Sequence, residues 1–146
     1  MKQIWKSVEG WEGFYEVSTK GKVRSLKRKI LHKGKSRTIQ GKVLRPRIHK
    51  RYNYRSASVL LCKDNKGKET MISRLVAIAF IPNPENKKEV NHKDNNALNN
   101  RVQNLEWVSH YGNMMYSYSQ GRLNNKRLTI HTPAIDLRVH GSILST

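Results

Sequence analysis

Residues 89–122 read EVNHKDNNALNNRVQNLEWVSHYGNMMYSYSQGR. Glu89 to His92 has the makings of a short strand, and Leu105, Trp107 and Val108 mark a second. Between them, Lys93 to Gln103 is polar and rich in asparagine, which predicts a loop. Ser109 is placed to cap a helix that should run from about His110 to Gln120, where Gly121 stops it. On that helix Tyr111, Met114, Met115 and Tyr118 share one face, and His110 and Asn113 share another. A strand-loop-strand-helix order can bring the end of the first strand against a helix face, so that His92 and Asn113 meet a common ligand. A histidine beside metal-holding oxygens can activate water while the metal stabilises charge on a phosphate. Taken alone the pattern is weak, because a single histidine is usually structural and asparagine clusters are usually turns.

Upstream, segment 70–81 reads TMISRLVAIAFI and spaces Ile72, Leu75, Val76, Ala79 and Phe80 along one face of a helix. Ile81-Pro82-Asn83-Pro84 should end it. Residues 28–68 hold several strand-like pieces, chiefly Arg37–Leu44 and Tyr52–Leu61, with a strong turn at Asp64-Asn65-Lys66-Gly67. Nearer the N-terminus, Tyr15, Val17 and Val23 predict two short strands joined by a turn at Thr19-Lys20-Gly21. Trp5, Trp11, Phe14 and Tyr15 are expected to form a small core there rather than to stack on bases. At the other end, Thr129 to Thr146 alternates at Ile135, Leu137 and Val139, and His140-Gly141 could fold it back as a hairpin with Ile143.

The charge is concentrated. The 146 residues contain 29 Lys or Arg against 10 Asp or Glu, a formal net charge of +19 and a pI near 10.4. The segment from Lys20 to Lys68 holds 18 of the bases and one acid, Asp64. Such a surface calls for a polyanion, and the basic strands are of a kind that can lie in a groove of duplex DNA. The apolar stretch around Leu75 to Ile81 is too short to span a bilayer, and charge from Lys2 onward argues against a secretory leader. The single Cys62 excludes an internal disulfide and cysteine-rich zinc spacings.

The spacing of His92, Asn104 and Asn113 resembles the HNH motif of ββα-metal nucleases. The run VNHKDNNALNNRVQNLEWVS, followed by a Gly-Asn pair, is similar to the phage- and intron-associated branch of HNH homing endonucleases. WKSVEGWEGFYEVSTKGKVRSL resembles the DNA-binding module that precedes these nucleases, and SRLVAIAFIPNP resembles the helix before their HNH strand. The resemblance covers roughly Trp5–Arg24 and Ile72–Arg122.

It implies an α+β protein: a basic antiparallel β module over residues 1–68, a ββα-metal nuclease module over 69–128, and a short hairpin-like tail over 129–146. The tail would be a naturally short end or a truncated C-terminal DNA-binding region. The implied activity is hydrolysis of phosphodiester bonds in double-stranded DNA, by nicking one strand. It would be the work of a monomer in a bacterial cytoplasm, encoded by a phage, prophage or mobile element. His92 is the implied general base. Asn91 and Asn113 are the implied ligands of one Mg²⁺ or Mn²⁺, and Asn104 the implied brace that orients His92. Asn91 departs from the Asp often found before that histidine. Arg24, Lys27, Arg28, Lys42, Arg45, Arg47, Lys50, Arg51, Arg55 and Arg101 are the candidate DNA contacts. The alternative is a DNA-binding protein that keeps the fold without catalysis; a basic RNA-binding protein would explain the charge but not the motif.

Overall fold

The computed structural model describes residues 2–51, 54–64 and 66–121; the tail reading at 129–146 lies outside them. The N-terminal part is a four-stranded antiparallel sheet ordered β1 (Trp5–Ser7), β2 (Tyr15–Ser18), β3 (Val23–Ser25) and β6 (Lys42–Val43). Between β3 and β6 the chain forms a separate hairpin, β4 (Arg28–His32) with β5 (Lys35–Ile39). Lys33 and Gly34 both have positive φ at its turn, the backbone that matches the twist of a tight hairpin. A three-stranded sheet follows, with β8 (Tyr54–Lys63) between β7 (Arg47–Arg51) and β9 (Lys66–Met71). Then come α1 (Ile72–Phe80), the hairpin of β10 (Glu89–His92) and β11 (Leu105–Val108), and α2 (His110–Ser119).

Two expected elements change for identifiable reasons. The single strand expected over Arg37–Leu44 is two, in different sheets. It breaks at Gly41, where a Cβ would lie 2.7 Å from the Ser25 carbonyl oxygen. The helix expected from Thr70 begins at Ile72, because Thr70 and Met71 pair with Val59 and Ser58 at the end of β9. Strand pairing with a central neighbour therefore overrides the helical pattern for those two residues.

The core joins residues from both ends of the described chain. Val8, Tyr15, Val17 and Val23 pack in one cluster with Ala57, Val59, Leu61, Ile72, Leu75, Val76 and Leu105. The division expected between residues 68 and 69 falls inside β9, and the cluster lies on both sides of it. Tyr15 adds a polar tie: its hydroxyl donates to the Cys62 carbonyl at 3.1 Å and accepts from the Cys62 N–H at 2.9 Å. Of the four aromatic residues expected to form a core at the N-terminus, Trp11, Phe14 and Tyr15 pack into it, whereas Trp5 lies outside it beneath the Arg24 guanidinium. Trp11 packs edge-on against Tyr15, with ring centroids 5.7 Å apart.

One shared core implies one unfolding event for the described chain. Leu61 is fully buried within it. Truncating it to Ala should cost about 2–5 kcal/mol, the range for emptying a packed leucine site. Urea unfolding should show one transition, coincident by tryptophan fluorescence and far-UV circular dichroism, shifted as a whole by Leu61→Ala. Two separated transitions, with only one shifted, would mean independent modules.

Candidate active site

The site is built on the β10–β11 hairpin. Register pairs Glu89 with Val108, Asn91 with Glu106 and His92 with Leu105. Because side chains alternate along a strand, Glu89 and Asn91 share one face and His92 lies on the other. The Trp107 indole N–H donates to the Ile81 carbonyl at 3.0 Å, and an Arg74 guanidinium nitrogen donates to the Lys88 carbonyl at 2.7 Å. Together they fix the hairpin to α1.

Helix α2 begins where expected. The Ser109 side chain accepts from the Gly112 N–H, and Gly121 takes a positive φ after the last turn. On the face shared by Tyr111, Met114, Met115 and Tyr118, Tyr111 and Met115 are exposed and Met114 and Tyr118 are half-buried. The helix turns Asn113 toward β10. Asn113 Nδ2 donates to Glu89 Oε2 at 2.5 Å, and His110 Nδ1 meets Glu89 Oε1 at 2.6 Å. Those two bonds, His110 first and Asn113 second, hold the Glu89 carboxyl below the usual carboxylate range. It is therefore anionic at neutral pH.

Asn91 is held in the same manner. Its Nδ2 donates to Glu106 Oε1 at 2.9 Å across the hairpin. An amide whose nitrogen is committed to an acidic oxygen has its own oxygen directed elsewhere. Neither Asn91 Oδ1 nor Asn113 Oδ1 receives a hydrogen bond from the described residues. Two hard oxygen donors, backed by Glu106 and Glu89, fit an ion such as Mg²⁺ or Mn²⁺. Among the described residues no group of three His, Cys, Asp or Glu could hold a metal. The motif points to Asn91 and Asn113 but not to Glu89, although its place two residues before Asn91 puts it on the same face.

His92 is buried, 9% exposed, and its Nε2 lies 3.0 Å from Asn100 Oδ1. The Asn100 amide orientation follows from its Nδ2, which donates to the Leu98 carbonyl at 3.3 Å. Its oxygen therefore faces the ring, and Nε2 must carry the proton. Nδ1 receives no hydrogen bond from the described residues, and in the neutral ring with its proton on Nε2 it is the acceptor. That is the state a proton acceptor needs.

Asn104, the middle residue of the motif, does not touch His92. Its Oδ1 accepts from the Asp94 N–H at 3.0 Å, and its Nδ2 donates to Asp94 Oδ1 and to the Asn99 carbonyl, both at 2.8 Å. Asp94 also accepts from the Asn96 N–H at 2.8 Å and from Asn99 Nδ2 at 2.6 Å. Asn104 and Asp94 thus knit the loop, and Asn100 makes the hydrogen bond to the histidine ring.

The basic candidates fall into two groups. Lys27, Lys42, Arg45, Arg47, Lys50 and Arg55 are exposed. Arg24 and Arg28 are partly committed within the protein. Arg24 pairs with Glu16 at 2.6 Å and lies 4.3 Å over Trp5, and Arg28 stacks on Phe14 and Tyr15. Arg51 belongs to β7, and its side chain is outside the described set. Arg101 lies beside the catalytic loop, lining a cleft of about 210 Å³ with Thr19, Lys20 and Gln103. Glu69 offsets part of this surface: it accepts from the Ser58 hydroxyl at 2.5 Å and lies 3.1 Å from His49 and 3.9 Å from Arg47.

A two-stranded antiparallel hairpin followed by a helix, with Asn113 of the helix tied to Glu89 of β10 and His92 on the other face of that strand, is a ββα arrangement. Residues 71–115 match the HNH endonuclease family, and residues 3–59 match the NUMOD4 motif. The chain is therefore a homologue of the HNH homing endonucleases. It is 38% identical over 120 residues to DNA endonuclease I-HmuI of Bacillus phage SP01, an alignment spanning 82% of this chain and 60% of that relative. It is 35% identical over 127 residues to the HNH endonuclease L245 of Acanthamoeba polyphaga mimivirus, across 87% of this chain and 33% of the relative. A solved structure described as DNA binding and cleavage by the HNH homing endonuclease I-HmuI superposes with a TM-score of 0.66 at 36% identity, covering 83% of this chain and 61% of that one. This chain thus spans about 60% of the length of its phage relative.

The loop brace has a pH signature. The Asn99 amide, then the Asn96 N–H and the Asn104 amide, lower the Asp94 pKa. A carboxyl lowered on folding adds stability above its unfolded pKa and loses it as pH falls through the folded one. The ¹³C carboxyl signal of Asp94 should accordingly titrate below the usual aspartate range and move upward in Asn99→Ala. A midpoint at the ordinary aspartate value would show that the brace does not form in solution.

Proposed function

We propose that this protein is a metal-dependent endonuclease that hydrolyses one strand of duplex DNA. The observation that carries the reading is the state of His92 in an HNH domain. It is buried, its Nε2 lies 3.0 Å from Asn100 Oδ1, and its Nδ1 makes no hydrogen bond with the described residues, which suits Nδ1 to accept a proton. The phage relative is named a DNA endonuclease, and the matching solved structure is described as binding and cleaving DNA, which supports carrying that activity to this chain.

In the proposed reaction His92 Nδ1 takes a proton from the attacking water. The resulting hydroxide adds to phosphorus, the bond to the 3′-oxygen breaks, the departing 3′-alkoxide takes a proton from a solvent water to become the hydroxyl, and His92 returns its proton to solvent. A divalent cation at Asn91 and Asn113 would stabilise the charge that builds on the scissile phosphate and the leaving oxygen. Asn104 and Asp94 keep the loop closed, so that Asn100 stays against the imidazole. The exposed bases from Lys27 to Arg55 grip flanking phosphates. One such site reaches one phosphodiester at a time, so a monomer nicks. Action in a host-cell cytoplasm, from a phage or mobile element, fits the phage origin of the relative.

On supercoiled plasmid with Mg²⁺ or Mn²⁺, open circle should accumulate before linear DNA, and EDTA should stop it. His92→Ala should slow cleavage by roughly 10²-fold or more, the scale of a missing general base, with duplex affinity little changed. Cleavage by His92→Ala at the wild-type rate would refute the assignment. Binding without cleavage by the wild type would favour the non-catalytic DNA-binding reading.

The grip is tested separately. Changing exposed Lys27, Arg45 and Lys50 to Glu should weaken duplex binding. It should also flatten the slope of log affinity against log salt by about 0.9 for each phosphate no longer neutralised. An unchanged slope would place the DNA grip elsewhere.

A further inference from the structure

The turn between β2 and β3 belongs to the NUMOD4 motif and has no part in the reaction above, yet it is pressed against the catalytic loop. The Val102 N–H donates to the Thr19 carbonyl at 3.0 Å, a main-chain bond between the N-terminal sheet and the HNH loop. Thr19 is itself fixed. Its N–H donates to the Ile4 carbonyl at 3.0 Å, and its hydroxyl oxygen accepts from the Ile4 N–H at 3.1 Å. Gly21 then comes so close to Asn100 that no side chain fits. A Cβ at Gly21 would lie 2.7 Å from the Asn100 carbonyl oxygen, 2.8 Å from its Cβ and 2.9 Å from its carbonyl carbon. Gly21 also has φ +73°, so the turn needs glycine for its backbone as well as for the close approach.

On its other side Asn100 reaches His92. It is buried, 6% exposed, with Oδ1 on the imidazole and Nδ2 on the Leu98 carbonyl. Its main chain therefore has Gly21 on one flank, and its side chain has the ring on the other. A shift of a few tenths of an ångström at the Asn100 backbone passes to Oδ1, because the amide is already anchored at its nitrogen. Freed from Oδ1, the ring can rotate and present Nε2–H where Nδ1 should be.

We infer that Asn100 and the Thr19–Gly21 turn are positioning elements for His92, so that the NUMOD4 region forms part of the active-site scaffold as well as a DNA grip. Asn100 holds the imidazole by its Nε2–H, and the turn holds Asn100 in place. The inference rests on His92 being the general base, and the test separates the two.

Two readouts are taken: the cleavage rate constant with DNA saturating, and the ¹H–¹⁵N signal of the His92 Nε2–H, which needs no cleavage. Asn100→Leu keeps the volume and removes the acceptor. Asn100→Asp keeps an oxygen for the ring. The signal should disappear and the rate should fall at least tenfold in Asn100→Leu, with both largely restored in Asn100→Asp and DNA affinity unchanged throughout. Gly21→Asn adds a Cβ while keeping a residue that tolerates positive φ. It should lower the rate about tenfold and displace the signal. Gly10→Asn is the control, at φ +75° with nothing within 4 Å of an added Cβ. It should change neither.

Gly21→Asn that matches Gly10→Asn in both readouts would overturn the role of the turn. Asn100→Leu with a wild-type signal and rate would overturn the role of Asn100, and this pair decides that point even if Gly21→Asn does not fold. An Nε2–H signal that responds as expected, combined with full activity of His92→Ala, would leave the positioning intact and refute the base instead.

Discussion

Two polar side chains are buried side by side at the end of β10, and the rest of the site follows from satisfying them. Asn91 is 5% exposed and His92 little more. A buried amide or imidazole without partners costs several times what a hydrogen bond returns. Each must therefore find a partner on its own side of the strand. On one face Asn91 finds Glu106, directly opposite in the register. On the other His92 finds Asn100, which the loop can supply only if it is folded back on itself. Asn104 and Asp94 hold that fold, and Gly21 backs it. The same bonds that satisfy these groups leave the oxygens of Asn91 and Asn113 and the Nδ1 of His92 available for chemistry.

The basic half of the chain is organised by a different compromise. A segment so dense in Lys and Arg has little apolar material of its own, and it borrows a core. Val17 and Val23 pack with Leu61, Ile72 and Val76, so the N-terminal sheet and the basic three-stranded sheet are both anchored to α1, to which the β10–β11 hairpin is fixed. Some of the charge is used in that anchoring. Lys6 Nζ donates to the Ala79 carbonyl at 3.0 Å, and Arg28 and Lys63 both lie over the Phe14 ring. Most of the rest is exposed on β-strands and their turns, where a polyanion can reach it.

What the sequence made legible was local. The β10–β11 hairpin, the Ser109 cap and the Gly121 stop were readable because each depends on a few neighbouring residues. His92, Asn104 and Asn113 were picked out by the spacing of the motif, and Asn91 by the resemblance it carries. Glu89 and Asn100 were not singled out, because their importance depends on strand register and on how a polar loop folds back on itself. The approach of Gly21 to Asn100 joins residues far apart in the chain, and glycine in a turn has too many ordinary explanations to announce it. The β4–β5 hairpin was equally obscure. Its strands, RKILH and KSRTI, mix basic, polar and apolar residues without the alternation that marks a half-buried strand, and Leu31 is exposed.

The central claim is that Glu89 and Glu106 orient Asn113 and Asn91 so that the two side-chain oxygens can hold one cation. Calorimetric titration of Mn²⁺ into protein saturated with an uncleavable duplex, relative to the duplex alone, tests it most directly. The account predicts one site per protein, weakened at least several-fold by Glu89→Gln or Glu106→Gln and abolished in Asn91→Ala. Binding unchanged in all three variants would contradict it and place the metal elsewhere.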